Sequence, residues 1–302
     1  MSQLVLRSKN ALASNVQSLD YVVYENRVLS DGGIIINEAA TKAVFDFIFQ
    51  NQLTSKEVFS ATSASWGVKL SGGKPVKLYS LFDSTGDIII NIGASSAIDF
   101  NQTTHVVPTI ELKASLLNSL NTLGKTGVVT NAGIFTLSFV PMLGVGTAYG
   151  SGVNFVLGEL SEVSDASNTS DSLKKRYLLN QFSRSTTADL PTNWVLNGQS
   201  YGNTGLISLP AQNVTEQNAL SVFADVNSLT MFKNGSQIGQ DTSVTPTDFN
   251  SNLQFNIGRG RAVSSSEMKY ANSLYAHIAE AWCLVNTTSD KMKVLSTRGN
   301  LY

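Results

Sequence analysis

The stretch Leu229-Thr-Met-Phe-Lys-Asn-Gly-Ser-Gln-Ile238 carries the most specific structural signal in the sequence. Asn234 and Gly235 are residue types that accept a positive φ at both central positions of a type I′ turn, and the twist of that turn matches the twist of paired strands. Apolar residues stand on both sides of the turn. The stretch therefore predicts a β-hairpin, with structural roles for Asn234 and Gly235.

Short apolar segments like those of the hairpin continue through most of the chain after residue 72. Gly, Asn, Asp, Ser or Pro separates almost all of them, which is the spacing typical of an all-β sandwich. The predicted strands are Val76–Phe82, Asp87–Ile92, Ile134–Val140, Val153–Leu160, Tyr177–Ser183, Asn193–Leu196, Leu206–Leu209, Ala219–Asp225, Leu229–Lys233, Leu253–Gly258 and Ala276–Val285. In one interruption, Thr109–Leu123, five leucines recur at helical spacing before Gly124, which predicts a helix.

The first 72 residues contain the clearest helical patterns. Asn37 can cap a helix from Glu38 to about Leu53, and the capping-box pattern Thr54-Ser-Lys-Glu57 predicts a second helix from Ser55 to about Ser65. Two short strands, Tyr21–Tyr24 and Ile34–Ile36, are expected before them. Ser71-Gly-Gly-Lys-Pro75 is the best linker in the chain, so the expected division is an N-terminal region, 1–72, and a sandwich, 73–302.

The first predicted helix is apolar on more than one face, because Phe45, Phe47, Ile48 and Phe49 follow one another closely. Such a helix has to be covered by the sandwich or by neighbouring subunits. The N-terminal region is therefore expected to be an attachment and assembly module.

Composition excludes several classes of protein. Of the 302 residues 42% are hydrophobic but only 14% are charged, and the formal net charge is −1, so no basic field exists to hold nucleic acid. No apolar run is long enough to span or insert into a membrane, and the N-terminal residues lack the apolar stretch of a signal peptide. The single cysteine, Cys283, permits no internal disulfide.

Several segments of the C-terminal half, taken in order, resemble the closing half of concanavalin A-like, or laminin-G-like, jelly-roll domains. These segments are Ala219–Asp225, the Phe232-Lys-Asn-Gly235 hairpin, Phe255-Asn-Ile-Gly258, His277–Trp282 and the short helix expected within Thr288–Leu295. In this resemblance Gly258 ends a strand. The N-terminal segments Asn37–Ile48 and Gly67–Asp83 are similar to the lead-in of lectin-like structural proteins of tailed bacteriophages.

The resemblance implies a mainly β, concanavalin A-like antiparallel sandwich with a small N-terminal α/β attachment region. It also implies a component of a phage particle in its tail, baseplate, fibre or head surface. Such a protein is made in the host cytoplasm, leaves by lysis and binds copies of itself, other virion proteins and a host surface glycan. A glycan-degrading enzyme, either a hydrolase or a lyase, is the alternative on the same fold.

Catalytic groups are scarce in the sequence. A retaining glycosidase needs two carboxylates about 5 Å apart, and the densest acidic cluster, Glu159, Glu162 and Asp165, has a spacing that turns neighbours to opposite strand faces. We interpret Glu159 as part of a solvated strand end. Of the two histidines, His277 reads as a hydrogen-bonded sheet residue and His105 lies in a loop. No catalytic residue and no cofactor are therefore expected.

One loop could bind calcium, and one segment could bind sugar. Asp165, Asn168 and Asp171 offer oxygen ligands, although the loop lacks the dense ligand alternation of an EF-hand. An aromatic face that stacks on a sugar, flanked by amides that bind its hydroxyls, is the usual form of a glycan site. The combination is found at Trp194 with Asn193, Asn197, Gln199 and Tyr201, and Trp194 in the sandwich core is the alternative.

Three further residues are expected to be structural. Trp66 and Trp282 should pack, the first against the helical segment and the second within an apolar strand. Glu280 stands in the same strand, and a buried carboxylate needs a partner, for which Arg259 or Arg261 is available.

Overall fold

The computed structural model describes residues 19–90, 98–101, 108–113, 120–122, 125–139, 153–162, 176–184, 194–200, 206–212, 216–243, 249–258 and 275–301. These residues contain the helices α1 (Leu19–Ser30), α2 (Glu38–Gln50) and α3 (Ser289–Leu295), with 3-10 segments at Ser84–Gly86 and Ser296–Leu301. They also contain nineteen strands: β1 (Ile34–Ile35), β2 (Val58–Ser63), β3 (Gly67–Ser71), β4 (Lys74–Leu78), β5 (Ile88–Ile90), β6 (Ile98–Asn101), β7 (Thr109–Lys113), β8 (Leu120–Thr122), β9 (Lys125–Val129), β10 (Ala132–Phe139), β11 (Val153–Glu162), β12 (Arg176–Arg184), β13 (Trp194–Ser200), β14 (Leu206–Gln212), β15 (Asn218–Ala224), β16 (Leu229–Lys233), β17 (Ser236–Asp241), β18 (Phe249–Gly258) and β19 (Tyr275–Val285).

The described strands form two antiparallel sheets. The larger sheet has the order β1-β3-β4-β5-β8-β18-β11-β12-β13-β14, and β9 also pairs with β18. The smaller sheet has the order β17-β16-β15-β10-β19-β7-β6, and β2 also pairs with β19. The predicted class, a mainly β antiparallel sandwich, is confirmed.

The smaller sheet has an apolar layer on each of its faces. On one face, residues such as Ile134 and Val222 pack against the larger sheet in what we call the inter-sheet core. On the other face, Phe135 and Phe223 pack beneath the three helices in what we call the helix-side core. Alternate residues of one strand enter the two cores because successive side chains of a strand point to opposite faces.

The hairpin predicted from the Asn-Gly pair is present as β16 and β17. Lys233 pairs with Ser236 across the turn, and φ is 51° at Asn234 and 79° at Gly235. The helix expected near the C-terminus is also present as α3, where the Thr288 hydroxyl accepts a hydrogen bond from the Lys291 N–H. Local residue types predicted both elements correctly.

Three elements differ from the sequence predictions. Tyr21–Tyr24 is helical, not extended, because Tyr21, Tyr24 and Val28 form one buried helix face. The segment predicted as the helix Ser55–Ser65 contains strand β2, all six residues of which are buried. The segment predicted as the helix Thr109–Leu123 contains β7 and β8, which belong to different sheets.

The stretch predicted to be a linker is the turn of a hairpin. Gly72 and Gly73 have φ values of 57° and 77°, and they join β3 to β4 through the pair Ser71 and Lys74. The linker interpretation is therefore wrong. The assembly role expected of residues 1–72 stays a prediction.

Helix α2 is covered on one side by the body of the protein. Phe45 and Ile48 are buried and Phe47 is partly buried in the helix-side core, whereas Phe49 remains 66% exposed. Trp66 is fully buried and packs edge-on against Trp282, with ring centroids 5.7 Å apart, as expected of two packed tryptophans.

Asn180 is a polar side chain of the inter-sheet core that its neighbours do not satisfy. Asn180 of β12 lies between Gly158 and Gly198 in register, on the side of the sheet where a Cβ at Gly158 would approach Ile134 to 2.7 Å. Asn180 is fully buried, and neither of its amide atoms has a hydrogen-bond partner among the described residues. A buried amide without hydrogen-bond partners lowers the stability of the fold, because it loses its hydrogen bonds to water and gains none within the protein.

We expect Asn180→Leu to raise the free energy of unfolding by about 1–3 kcal/mol, because it removes that cost while keeping the branching of the side chain. Asn256→Leu is the matched control on the opposite side of the same sheet. The Asn256 amide is hydrogen-bonded to Ser161 and Gln254, so its loss should destabilise the fold. Denaturant titration of both variants decides the matter, and a destabilised Asn180→Leu protein contradicts the assignment.

Candidate functional site

The predicted sugar-binding residues do not share one side of the larger sheet. In β13, position 194 alternates with 196 and 198, and a Cβ at Gly198 would lie 2.9 Å from Met231 of the opposing sheet. Positions 197 and 199 therefore belong to the outer side, which faces away from the smaller sheet. Asn193 and Tyr201 lie outside the described residues. The binding role of the five residues stays a prediction.

A row of polar side chains lies on the outer side of the larger sheet. The Gln254 amide donates to Asn256 Oδ1 at 2.8 Å, and the Asn256 amide donates to Ser161 Oγ at 3.1 Å. Gln181 lies on the same side, two strands from β18, and directly opposes position 197 of β13 in register. We call Ser161, Gln181, Gln254 and Asn256 the amide face.

The centre of the amide face is buried, whereas its margin is exposed to solvent. Ser161 and Asn256 are buried, Gln254 is half-buried, and Asn252, two residues before it on the same side of β18, is exposed. The buried Asn256 amide is held by its hydrogen bonds to Gln254 and Ser161, which fixes its orientation.

Glu159 lies in the middle of this side and not at a solvated strand end. It opposes Asn256 in β18 and Leu179 in β12, and it is fully buried. The earlier interpretation is wrong because β11 is a central strand of the sheet, so its middle residues are flanked on both sides.

Sequence reasoning missed the amide face, although a signal was present. In β18, Leu253, Phe255 and Ile257 enter the inter-sheet core, so the amide residues between them share the outer side. An amide at every second position of an apolar strand is a pattern of period two.

Glu280 is buried and paired, as expected, but with a different arginine. Arg298 Nε and Nη2 donate to the two carboxylate oxygens at 2.5 and 2.6 Å, and the Trp282 indole N–H donates at 3.1 Å. The guanidinium also lies 4.7 Å from the ring centroid of Phe47. Arg259 and Arg261 lie outside the described residues.

The partner of Glu280 follows from the face of β19 on which the carboxylate lies. Glu280 and Trp282 face the helix-side core, and the segment after α3 returns along that side. The pair therefore fastens the C-terminal segment to the sheet, which makes it structural.

Of the two histidines, His277 lies within the described residues and His105 does not. His277 is buried and its Nδ1 lies 3.1 Å from the Thr109 hydroxyl on the neighbouring strand, so the hydrogen-bonded sheet residue is confirmed. His105 and the proposed calcium ligands Asp165, Asn168 and Asp171 lie outside the described residues. Among the residues that are described, no His, Cys, Asp and Glu side chains are grouped to hold a metal ion.

A second charged cluster holds α1 against the β3–β4 hairpin. Arg27 donates to both oxygens of the buried Asp87 at 2.9 and 3.1 Å, and Lys77 lies 3.3 Å from the same carboxylate. Asp31 accepts from Lys77, Lys69 and the Tyr79 hydroxyl. The cluster joins the helix to the sheet on which the amide face lies.

The two carboxylates of this cluster titrate in opposite directions. Hydrogen bonds from Lys77, Tyr79 and Lys69 hold the pKa of the exposed Asp31 well below its usual range. Burial raises the pKa of Asp87, and the Arg27 and Lys77 charges and the Ser80 N–H offset only part of that rise. Desolvation thus outweighs attraction at Asp87.

Arg27→Met is expected to raise the pKa of Asp87 further, because the largest opposing influence is lost. An acid with a raised folded pKa contributes stability below its unfolded value, near 4, that is lost as the pH rises through the folded value. The variant should therefore differ little from the wild type near pH 3 and melt at a clearly lower temperature near pH 7. Lys42→Met, which removes an exposed pair with Glu38, is the control and should show little pH dependence. An equal loss at both pH values contradicts the account.

Comparison with solved structures finds the same fold in proteins of very different sequence. The binding domain of Paraclostridial Mosquitocidal Protein 1 matches with a TM-score of 0.50 at 10% identity, over 82% of this chain and 52% of that chain. Trypanosoma rangeli sialidase in complex with 2,3-difluorosialic acid matches with a TM-score of 0.50 at 7% identity, over 87% of this chain and 40% of that chain. These are likenesses of fold.

The chain thus spans about half the length of the mosquitocidal binding domain and less than half of the sialidase. No protein-family model and no curated protein sequence matches it. Among the described helices, none combines the length and the apolar character that crossing a bilayer requires.

Proposed function

We propose that the chain is a non-catalytic, carbohydrate-binding adhesion module whose ligand lies along the margin of the amide face. The observation that carries the proposal is the hydrogen-bonded series Gln254, Asn256 and Ser161 on the outer side of the larger sheet. An amide presents both donors and an acceptor, which suits it to the adjacent hydroxyls of a sugar.

The exposed margin supplies the direct contacts in this proposal. Asn252 is exposed and Gln254 is half-buried, and they follow each other at the strand period on one side of β18. The buried Asn256 behind them holds the Gln254 amide in place through its Oδ1. Because the Gln254 amide is already ordered before binding, the loss of conformational entropy on binding is smaller.

Gln254→Ala is expected to weaken binding to a recognised polysaccharide about 2- to 10-fold, the factor that a neutral hydrogen bond of about 0.5–1.5 kcal/mol gives. Binding is measured by titration calorimetry against a panel of bacterial surface polysaccharides. Gln240→Ala on β17 is the matched control, since Gln240 is an exposed glutamine of the other sheet. Equal affinities of the two variants contradict the proposed site.

The proposal excludes turnover of the glycan. Incubation of the purified chain with each polysaccharide that it binds should release no new reducing ends. Reproducible depolymerisation would overturn the proposal that the chain is non-catalytic. The glycan-degrading alternative would then take its place.

The proposed setting is the surface of a bacteriophage particle, with copies of the chain and other virion proteins as partners. This part rests on the sequence resemblance alone. Weak binding at each site would gain strength from the many copies that a particle carries. The setting is tested by electron microscopy of phage particles assembled with a labelled form of this chain. Label on the particle surface supports the setting, and particles that carry no label contradict it.

A further inference from the structure

The Asn234–Gly235 turn of the β16–β17 hairpin is docked on the C-terminal segment. Asn234 is exposed, and the Gly235 backbone N–H donates to Ser296 Oγ at 2.8 Å. The Ser296 hydroxyl in turn donates to the Lys293 carbonyl at 2.7 Å, and Ser296 itself is fully buried. The Gly235 nitrogen is therefore held by a hydroxyl whose own proton is already engaged.

An asparagine followed by glycine is prone to deamidation, because glycine has no side chain to hinder attack of its backbone nitrogen on the asparagine side chain. The Gly235 nitrogen gives up its proton to solvent and attacks Cγ of Asn234, and the side-chain nitrogen leaves as ammonia. The cyclic imide that forms is then opened by water at either of its carbonyls. The net change consumes one water, releases one ammonia and leaves aspartate or isoaspartate with a new negative charge.

We propose that Asn234 is a site of spontaneous deamidation whose rate is set by the docking of Ser296 on the turn. Attack requires the Gly235 nitrogen to turn toward the Asn234 side chain, which breaks its bond to Ser296. It also requires the two residues to leave the left-handed conformation that the hairpin imposes, with φ values of 51° and 79°. The docked turn is therefore slow to react, and a released turn reacts at the rate of a free chain.

The product would not fit the docked turn. Isoaspartate adds one carbon to the backbone between Lys233 and Gly235, which changes the length of a turn that joins directly paired residues. Deamidation would thus favour release of the turn from the C-terminal segment, and release would favour deamidation. Because the reaction is not reversed, it would permanently mark chains in which the turn has been released.

The chain contains an internal comparison for this reaction. Asn197 and Gly198 form a second Asn-Gly pair, within β13, which is paired with β12 on one side and β14 on the other. A backbone paired on both sides cannot turn its nitrogen toward the preceding side chain. Asn197 should therefore deamidate more slowly than Asn234 in the folded chain.

The test follows conversion at both sites by mass spectrometry during incubation of the full chain in mildly alkaline buffer. Ser296→Ala should deamidate at Asn234 about 2- to 10-fold faster than the wild type, the factor that loss of one neutral hydrogen bond gives. Ser289→Ala at the start of α3 is the control and should keep the wild-type rate. A folded Ser296→Ala protein that reacts at the wild-type rate overturns the proposal.

A measurement on the wild-type chain keeps the proposal testable if Ser296→Ala does not fold. The Gly235 amide hydrogen should exchange with solvent more slowly than that of Gly72 in the β3–β4 turn, and equal exchange overturns the docking. A synthetic peptide spanning residues 229–238 should deamidate faster than the folded chain, and equal rates overturn the proposal as well.

Discussion

Arg298→Met is expected to lower the free energy of unfolding by about 3–5 kcal/mol, the cost of breaking a buried ion pair by removing one partner. Arg298 is only 2% exposed and Glu280 is completely buried, so the remaining carboxylate would have no access to water. The loss also removes a cation stacked over Phe47 of α2. Denaturant titration measures the change.

Two further variants separate the ion pair from general damage to the C-terminal segment. Lys293→Met changes an exposed residue of α3 and should alter stability by less than about 0.5 kcal/mol. The double variant Glu280→Met with Arg298→Met removes both charges and should recover much of the loss, because replacement of a buried pair by apolar residues is often neutral. A double variant less stable than Arg298→Met alone contradicts the ion-pair account.

Gly235→Val is expected to destabilise the fold by about 2–4 kcal/mol, the sum of a left-handed backbone penalty and an overpacked contact. The φ of Gly235 is 79°, and a Cβ placed there would lie 2.7 Å from Thr297 Cγ2. A β-branched residue therefore strains the turn and pushes it away from the C-terminal segment.

Gly72→Val is the matched control for the contact. Gly72 also has a positive φ, of 57°, but nothing lies within 4 Å of its Cβ position. Its substitution should cost only the backbone penalty, about 1–2 kcal/mol. Equal melting temperatures of the two variants would mean that Thr297 does not restrain the turn.

Sequence predicted the elements whose cause is local. The positive-φ residues Asn234 and Gly235 specify the turn of their hairpin locally, and Thr288 caps its own helix. Gly72 and Gly73 carry an equally local turn signal, but a pair of glycines is common to hairpin turns and to linkers. Only the pairing of β3 with β4 distinguishes the two.

Sequence failed where distant strands decide the outcome. The Thr54–Glu57 capping contact does form, with the Thr54 hydroxyl 3.1 Å from Glu57 Oε2, yet the chain continues as strand β2. Pairing with β19 and burial of all six residues of β2 outweigh a helix start that contributes about 1 kcal/mol. Leu112 and Leu120 of the segment Thr109–Leu123 likewise belong to strands of different sheets.

The candidate site shows the same limit. The amides of β18 are visible as an alternating pattern, but the contact of Asn256 with Ser161 depends on pairing between residues 95 positions apart in the chain. The sequence predicts Arg259 or Arg261, which closely follow β18, as the partner of Glu280, whereas the fold brings Arg298 to it from the C-terminal segment. Nothing in a single sequence specifies that return.

The central claim, that the amide face of this sandwich binds carbohydrate, is tested most directly by nuclear magnetic resonance of the side-chain amides. The account predicts that adding a recognised polysaccharide shifts the NH₂ signals of Asn252 and Gln254, and leaves that of Gln240 unchanged. Saturable binding that leaves the Asn252 and Gln254 signals in place, while shifting residues elsewhere, would contradict it.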